Sequence, residues 1–183
     1  MRERIFIGVA WPYANGSLHL GHLSGCYLPA DIFARYHRMK GNEVLVVSGS
    51  DQHGTPITIR AEREGIEPQQ IVDKYHSEFL DSWRSMGIGF DLFTTTGTDN
   101  HRKIVHELFL TLLGKDYIYS DTMLLPYCPR CRQFRPDRYI EGTCPHCDNG
   151  AARGDQCDAC SKTLNPEDLV APRCKVCGDP PRF

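Results

Sequence analysis

Ala10-Trp11-Pro12-Tyr13-Ala14-Asn15-Gly16-Ser17-Leu18-His19-Leu20-Gly21-His22 follows a short apolar run and opens a helical pattern. Its reading decides the fold. Ahead of it, Ile5-Phe6-Ile7-Gly8-Val9-Ala10 is β-branched and aromatic enough for a buried strand, which the turn-rich Pro12 to Gly16 segment must stop. Behind it, Leu18, Cys26, Leu28, Ile32, Phe33, Tyr36 and Met39 recur at helical spacing, with Gly41 where a C-terminal cap belongs. Pro29 is placed to kink that helix. A strand, a tight turn and a helix N-terminus suit a nucleotide phosphate, because unpaired backbone N–H groups and the helix dipole both favour an anion. His19 and His22 bring imidazole donors to that helix start, and Gly21 leaves room for a base or ribose. An H-x-x-H taken alone is more often two surface histidines.

Working outward, Glu43-Val44-Leu45-Val46-Val47-Ser48 is a continuous apolar run that fits a second, parallel strand beside the first. Gly49-Ser50-Asp51-Gln52-His53-Gly54-Thr55-Pro56 then reads as a turn and a helix start, with Thr55 as cap and Pro56 in the first helical turn. In open α/β sheets ligands bind outside the carboxyl ends of the strands, so this loop should face the same crevice as the histidines. Asp51 is the candidate there for a substrate cation, against the plainer reading of a turn aspartate bonded to its own backbone.

Pro68 to Met86 shows an amphipathic stripe of Val72, Tyr75, Phe79, Trp83 and Met86, read as core. Phe90 to Thr95 offers a third strand, and Asp99 precedes a helix carrying Ile104, Val105, Leu108, Phe109, Leu112 and Leu113. Tyr117-Ile118-Tyr119 and Met123-Leu124-Leu125 suggest a small strand pair. Composition shifts at Tyr127, so the expected domains are residues 1–125 and 126–183.

At 183 residues and 40% apolar content the chain is long enough for one cored domain with an appended module. No run of 18 apolar residues and no signal-peptide pattern occurs, so the expected compartment is the cytoplasm, with no membrane partner. A net charge of −2 gives no whole-molecule attraction for nucleic acid.

Eight of the nine cysteines form four C-x-x-C pairs: Cys128 with Cys131, Cys144 with Cys147, Cys157 with Cys160, and Cys174 with Cys177. Each tight turn presents two sulfurs to a tetrahedral ion, and two turns complete a closed site, so four pairs make two structural zinc sites. Spacing alone leaves three ways to combine them. The module carries nine basic and eight acidic side chains, and eight thiolates outweigh two Zn²⁺, so no basic RNA clamp lies here.

The motif A-W-P-Y-A-N-G-S-L-H-L-G-H resembles the "HIGH" signature of class I aminoacyl-tRNA synthetases in its methionyl form, with Leu20 as the second letter. S-D-Q-H-G-T-P and the cysteine module, marked by Arg135-Pro136-Asp137-Arg138-Tyr139 and Glu141-Gly142-Thr143-Cys144-Pro145, resemble the same family. The resemblance covers essentially the whole chain, and it is what cuts the plain reading of His19 and His22 as two surface histidines. It implies an α/β fold, the first half of a Rossmann-like doubly wound parallel sheet followed by a zinc-ribbon insertion that shapes and covers the active site.

The resemblance further implies methionine–tRNA ligase activity: methionine and ATP give methionyl-adenylate and pyrophosphate, and the methionyl group passes to initiator and elongator methionine tRNA. It makes His19 and His22 catalytic, and places ATP, with Mg²⁺ on its phosphates, against Asn15, His19, Gly21 and His22. Methionine falls to Ala10, Trp11, Tyr13 and Asp51, the last holding its ammonium group. Family comparison also narrows the cysteines to nested sites, Cys144, Cys147, Cys157 and Cys160 on one zinc and Cys128, Cys131, Cys174 and Cys177 on the other.

The rivals are an H-x-G-H nucleotidylyltransferase, which lacks the P-Y-A-N-G lead and the knuckles, and a non-catalytic zinc-containing fragment or paralogue. A complete methionyl enzyme also needs a lysine-rich "KMSKS" loop and an anticodon domain. No K-x-S-K pattern occurs and the sequence stops at Pro180-Pro181-Arg182-Phe183. The expectation is therefore a truncated product or one part of a split enzyme, inactive alone and completed by a C-terminal partner chain.

Overall fold

The computed structural model describes residues 2–183 and divides into two compact units, Met1–Tyr117 and Ile118–Phe183. The first contains three parallel strands, β1 (Arg4–Gly8), β2 (Glu43–Ser50) and β3 (Leu92–Thr95), in that spatial order. Phe6 pairs with Leu45, and Val47 with Leu92. Parallel neighbours need crossovers. The first is α1 (Leu20–His22), a π-helical turn (Leu23–Tyr27) and α2 (Leu28–Met39); the second is α3 (Thr55–Glu64) and α4 (Pro68–Met86). Helix α5 (Asp99–Gly114) follows β3.

The irregularity expected at Pro29 takes the form of the π-turn. Pro29 has no N–H to give the Gly25 carbonyl, and the ladder shifts by one residue, with Leu28 N–H reaching Leu23 O. Gly41 follows α2 with φ 85°, in the left-handed region that suits glycine. Thr55 is the first residue of α3 rather than its cap. Gly54, at φ 119°, holds the cap position without a side-chain bond.

Right-handed crossovers that step in one direction put the crossover helices on the same face of the sheet. Accordingly Ile7, Val9, Val44, Val46 and Phe93 pack with Ala34 of α2, Ile57 and Ala61 of α3, and Ile71, Val72, Tyr75, Phe79 and Trp83 of α4. Met86, expected on that stripe, is exposed. On the other face Phe6 is 68%, Leu45 49% and Leu92 54% exposed, and α5 has no buried residue although it displays Ile104, Val105, Leu108, Phe109 and Leu113.

The second unit begins with residues that form no regular structure up to β4 (Tyr127–Cys128). The strand pair expected over 117–125 is absent, and Tyr117, Tyr119, Met123 and Leu124 lie exposed, with no buried face to stabilise pairing. β4 pairs with β5 (Gln133–Phe134), and β6 (Ile140–Thr143) lies between β7 (Ala152–Arg153) and β8 (Val170–Cys174), all antiparallel. Among the described residues no helix is long and apolar enough to cross a membrane.

Candidate functional site

The spacing of the two histidines has a local cause. His19 caps α1, and its Nδ1 accepts the backbone N–H of Gly21 at 3.1 Å and of His22 at 3.4 Å. In return His22 Nδ1 accepts the N–H of His19 at 3.3 Å. This is a capping box built from two imidazoles, whose rings stack with centroids 3.7 Å apart. Because each Nδ1 is an acceptor, each ring carries its proton on Nε2, and both residues are exposed. Gly21 has a structural reason beyond ligand access: a Cβ there would stand 3.0 Å from the His19 ring.

The loops after β1 and β2 are stitched together. Tyr13 and Asp51 form a parallel bridge, in which Ala14 N–H donates to Asp51 O at 2.8 Å and Asp51 N–H to Pro12 O at 2.9 Å. Tyr13 OH donates to the His53 carbonyl. Trp11 lies over Gly49, where a Cβ would come within 2.8 Å of its ring. Ala10 and Trp11 are exposed, and Tyr13, Asn15 and Asp51 are half-buried. The strand ends thus bring Ala10, Trp11, Tyr13 and Asp51 to the carboxyl side of the sheet, and the stretch from Tyr13 to His22 runs on into α1. His53, given no chemistry by its sequence, ties loops: its ring Nε2 stands 3.2 Å from Thr96 O.

Two residues escaped the sequence reading. Arg60 of α3 donates to the Asn15 carbonyl at 2.6 Å, bonds Glu64 four residues on, and lies over the Tyr75 ring. The Glu64 hydrogen bond is the main cause of its raised pKa. Only the Arg60–Glu64 spacing was visible in the sequence. His76 of α4 meets Ser50 Oγ at 2.8 Å, a contact between distant segments with no local signal.

The eight knuckle cysteines gather into two groups, Cys128, Cys131, Cys174 and Cys177, and Cys144, Cys147, Cys157 and Cys160, with the sulfurs of each within 4.8 Å of one another. The knuckles share a backbone design. The residue after each second cysteine, Arg132, Asp148, Ser161 or Gly178, has positive φ. In three of them its N–H returns to the first cysteine's carbonyl, at 3.1 Å (Asp148), 2.8 Å (Ser161) and 2.7 Å (Gly178). A tetrahedron with Zn–S bonds of about 2.3 Å has edges of about 3.8 Å. The observed separations of 3.4 and 3.9 Å in one group and 3.8 and 3.6 Å in the other fit that ion. Asn149 donates to Cys157 Sγ at 3.5 Å and holds that thiol down to about 6, whereas burial, with the neighbouring sulfurs, pushes Cys177 up to about 12. Four thiols this close do not all ionise without a cation among them.

The family model described as "tRNA synthetases class I (M)" matches residues 5–183. The methionine–tRNA ligase of Dehalococcoides mccartyi is 61% identical over 183 residues, all of this chain and 33% of that protein. That of Thermomicrobium roseum is 57% identical over 99% of this chain and 31% of its own length. The chain thus spans about a third of the length of these relatives. A solved methionyl-tRNA synthetase of Mycobacterium tuberculosis, in complex with methionyl-adenylate, superposes with a TM-score of 0.66 at 23% identity, covering 82% of this chain and 30% of that one. At that identity it speaks for the fold alone.

Proposed function

This chain belongs to the methionyl family of class I tRNA synthetases, and on that premise we propose that it supplies the ATP- and methionine-binding half of a methionine–tRNA ligase. The observation that carries the reading is the reciprocal cap of His19 and His22, which leaves two exposed Nε2–H donors at a helix start on the carboxyl side of a parallel sheet.

In the activation step a methionine carboxylate oxygen attacks the α-phosphorus of ATP and pyrophosphate leaves, with no bond to the protein. Catalysis is positioning plus stabilisation of charge on the transferred phosphoryl group. His19 and His22 donate from Nε2 to phosphate oxygens, with Asn15 and Gly21 beside them. Asp51 holds the ammonium group, with Ala10, Trp11 and Tyr13 around the side chain, where an aromatic wall suits a thioether. Mg²⁺ bound to the phosphates would add charge neutralisation. The methionyl group then passes to initiator and elongator methionine tRNA in the cytoplasm. Two structural Zn²⁺ ions, one in each cysteine quartet, hold the second unit together.

Completion by further chain is part of the proposal. In a doubly wound sheet strand order reverses beside the first strand and the second half's helices cover the opposite face. The exposed Phe6, Leu45 and Leu92 face and the apolar stripe of α5 support that reading, as does the one-third span of the relatives. That further chain would supply the K-x-S-K loop and the anticodon contacts. The test joins this chain to the remaining residues of the Dehalococcoides relative and measures amino-acid-dependent exchange of pyrophosphate into ATP. Exchange driven by methionine is expected; exchange driven equally by other amino acids contradicts the reading.

A further inference from the structure

Asp51 sits at the end of β2 in a turn whose fixed points lie on three elements. Its own N–H and C=O bond the loop after β1. Gln52 N–H donates to Thr96 Oγ1 at 2.9 Å, and Thr96 N–H to Ser50 O at 3.2 Å, which ties the turn to the segment after β3. The third tie comes from the helical layer. Ser50 is fully buried, its Oγ accepts from Gln52 Nε2 at 3.1 Å, and it stands 2.8 Å from His76 Nδ1 on α4. Oγ can accept twice but carries a single hydrogen, and among the described residues no acceptor other than His76 is bonded to it, so the hydroxyl proton goes to His76, Nδ1 is the acceptor and the ring proton lies on Nε2.

We propose that His76 is a positioning residue for amino-acid recognition, acting through the Ser50 hydroxyl to hold the Ser50-Asp51-Gln52 turn with the Asp51 carboxylate set for a substrate ammonium. The proposal rests on the function assigned above. A neutral imidazole suits this role, because a proton on Nδ1 would make it a donor to Oγ and turn the Ser50 hydroxyl away with no partner in a buried position. The surroundings keep it neutral: burial lowers its pKa, opposed by the smaller effect of Asp73 on its own helix. The groups facing it from β2 and β3, Ser50 and the stacked Phe93 ring, carry no charge.

Two measurements test this. On the 183-residue chain, nitrogen NMR of His76 should show an unprotonated Nδ1 and a protonated Nε2 at pH 7, and Ser50→Ala should shift His76 together with the Asp51 and Gln52 amides. A freely titrating His76, or unmoved Asp51 and Gln52 amides, overturns the proposal. In the joined protein, His76→Phe and Ser50→Ala should each raise KM for methionine about tenfold, the order of one buried hydrogen bond, while KM for ATP stays within about twofold. His76→Asn, which keeps an acceptor near the Nδ1 position, should recover most of the loss. Equal rises in both KM values, or no rise, overturn it. If the joined protein with native residues does not exchange pyrophosphate, the assigned function fails, and the NMR measurement on the chain still decides whether His76 sets the turn.

Discussion

The two units are held together in opposite ways. The first owns a hydrophobic core, built where α2, α3 and α4 pack on Ile7, Val9, Val46 and Phe93, yet leaves the other face of its sheet bare. The second has short strands and a small cluster around Ile140, Leu164 and Leu169, into which the cysteines Cys144 and Cys157 are themselves packed. One unit therefore leaves an apolar sheet face exposed, and the other, poor in apolar residues, gathers two cysteine quartets that could hold an ion.

That contrast breaks most readily on metal removal. Chelation should unfold the second unit while leaving the helical signal of the first, because structural zinc in small modules contributes about 10–16 kcal/mol of apparent binding free energy. Circular dichroism and metal counting check it. A Cys128→Ser, Cys177→Ser double variant sharpens it further: nested sites retain one zinc per chain, whereas sequential or alternating sites retain none. In the first unit the largest effect falls at Gly49, where a Cβ would stand 2.6 Å from Thr94 O as well as against Trp11. Gly49→Ala should cost about 1–3 kcal/mol in urea unfolding. His19→Ala should cost less, about 1 kcal/mol, by releasing the Gly21 and His22 amides, seen as faster hydrogen exchange there. Smallest is a pH effect. The His76 pKa is lowered in the folded chain, so its contribution is complete above the unfolded value of about 6.5 and is lost as pH falls below it towards the folded value. His76→Asn should flatten the pH dependence of first-unit stability in that range.

Much of this molecule was legible in its residues. The strands came from β-branched runs, α4 from its stripe over Pro68–Met86, and the four cysteine knuckles from their local spacing, whereas their nesting into two quartets followed from the family resemblance alone. The capping exchange between His19 and His22 lay within reach of a spacing argument, since three residues is the capping-box interval. What the sequence hid was non-local or dependent on context. The Ser50–His76 bond joins residues 26 apart, and Arg60 reaches a carbonyl 45 residues away. The segment 117–125 has strand-like composition but, among the described residues, forms no strand, and α5 has a core-like stripe that stays exposed.

The most direct test is methionine-dependent ATP–pyrophosphate exchange, measured on the chain alone and after the rest of a relative is supplied. The chain alone should show no exchange at an enzymic rate. The completed protein should show it and lose about two to three orders of magnitude on His22→Ala. Turnover by the chain alone, or a completed protein indifferent to His22→Ala, would contradict the claim that these residues are half of a methionine-activating site.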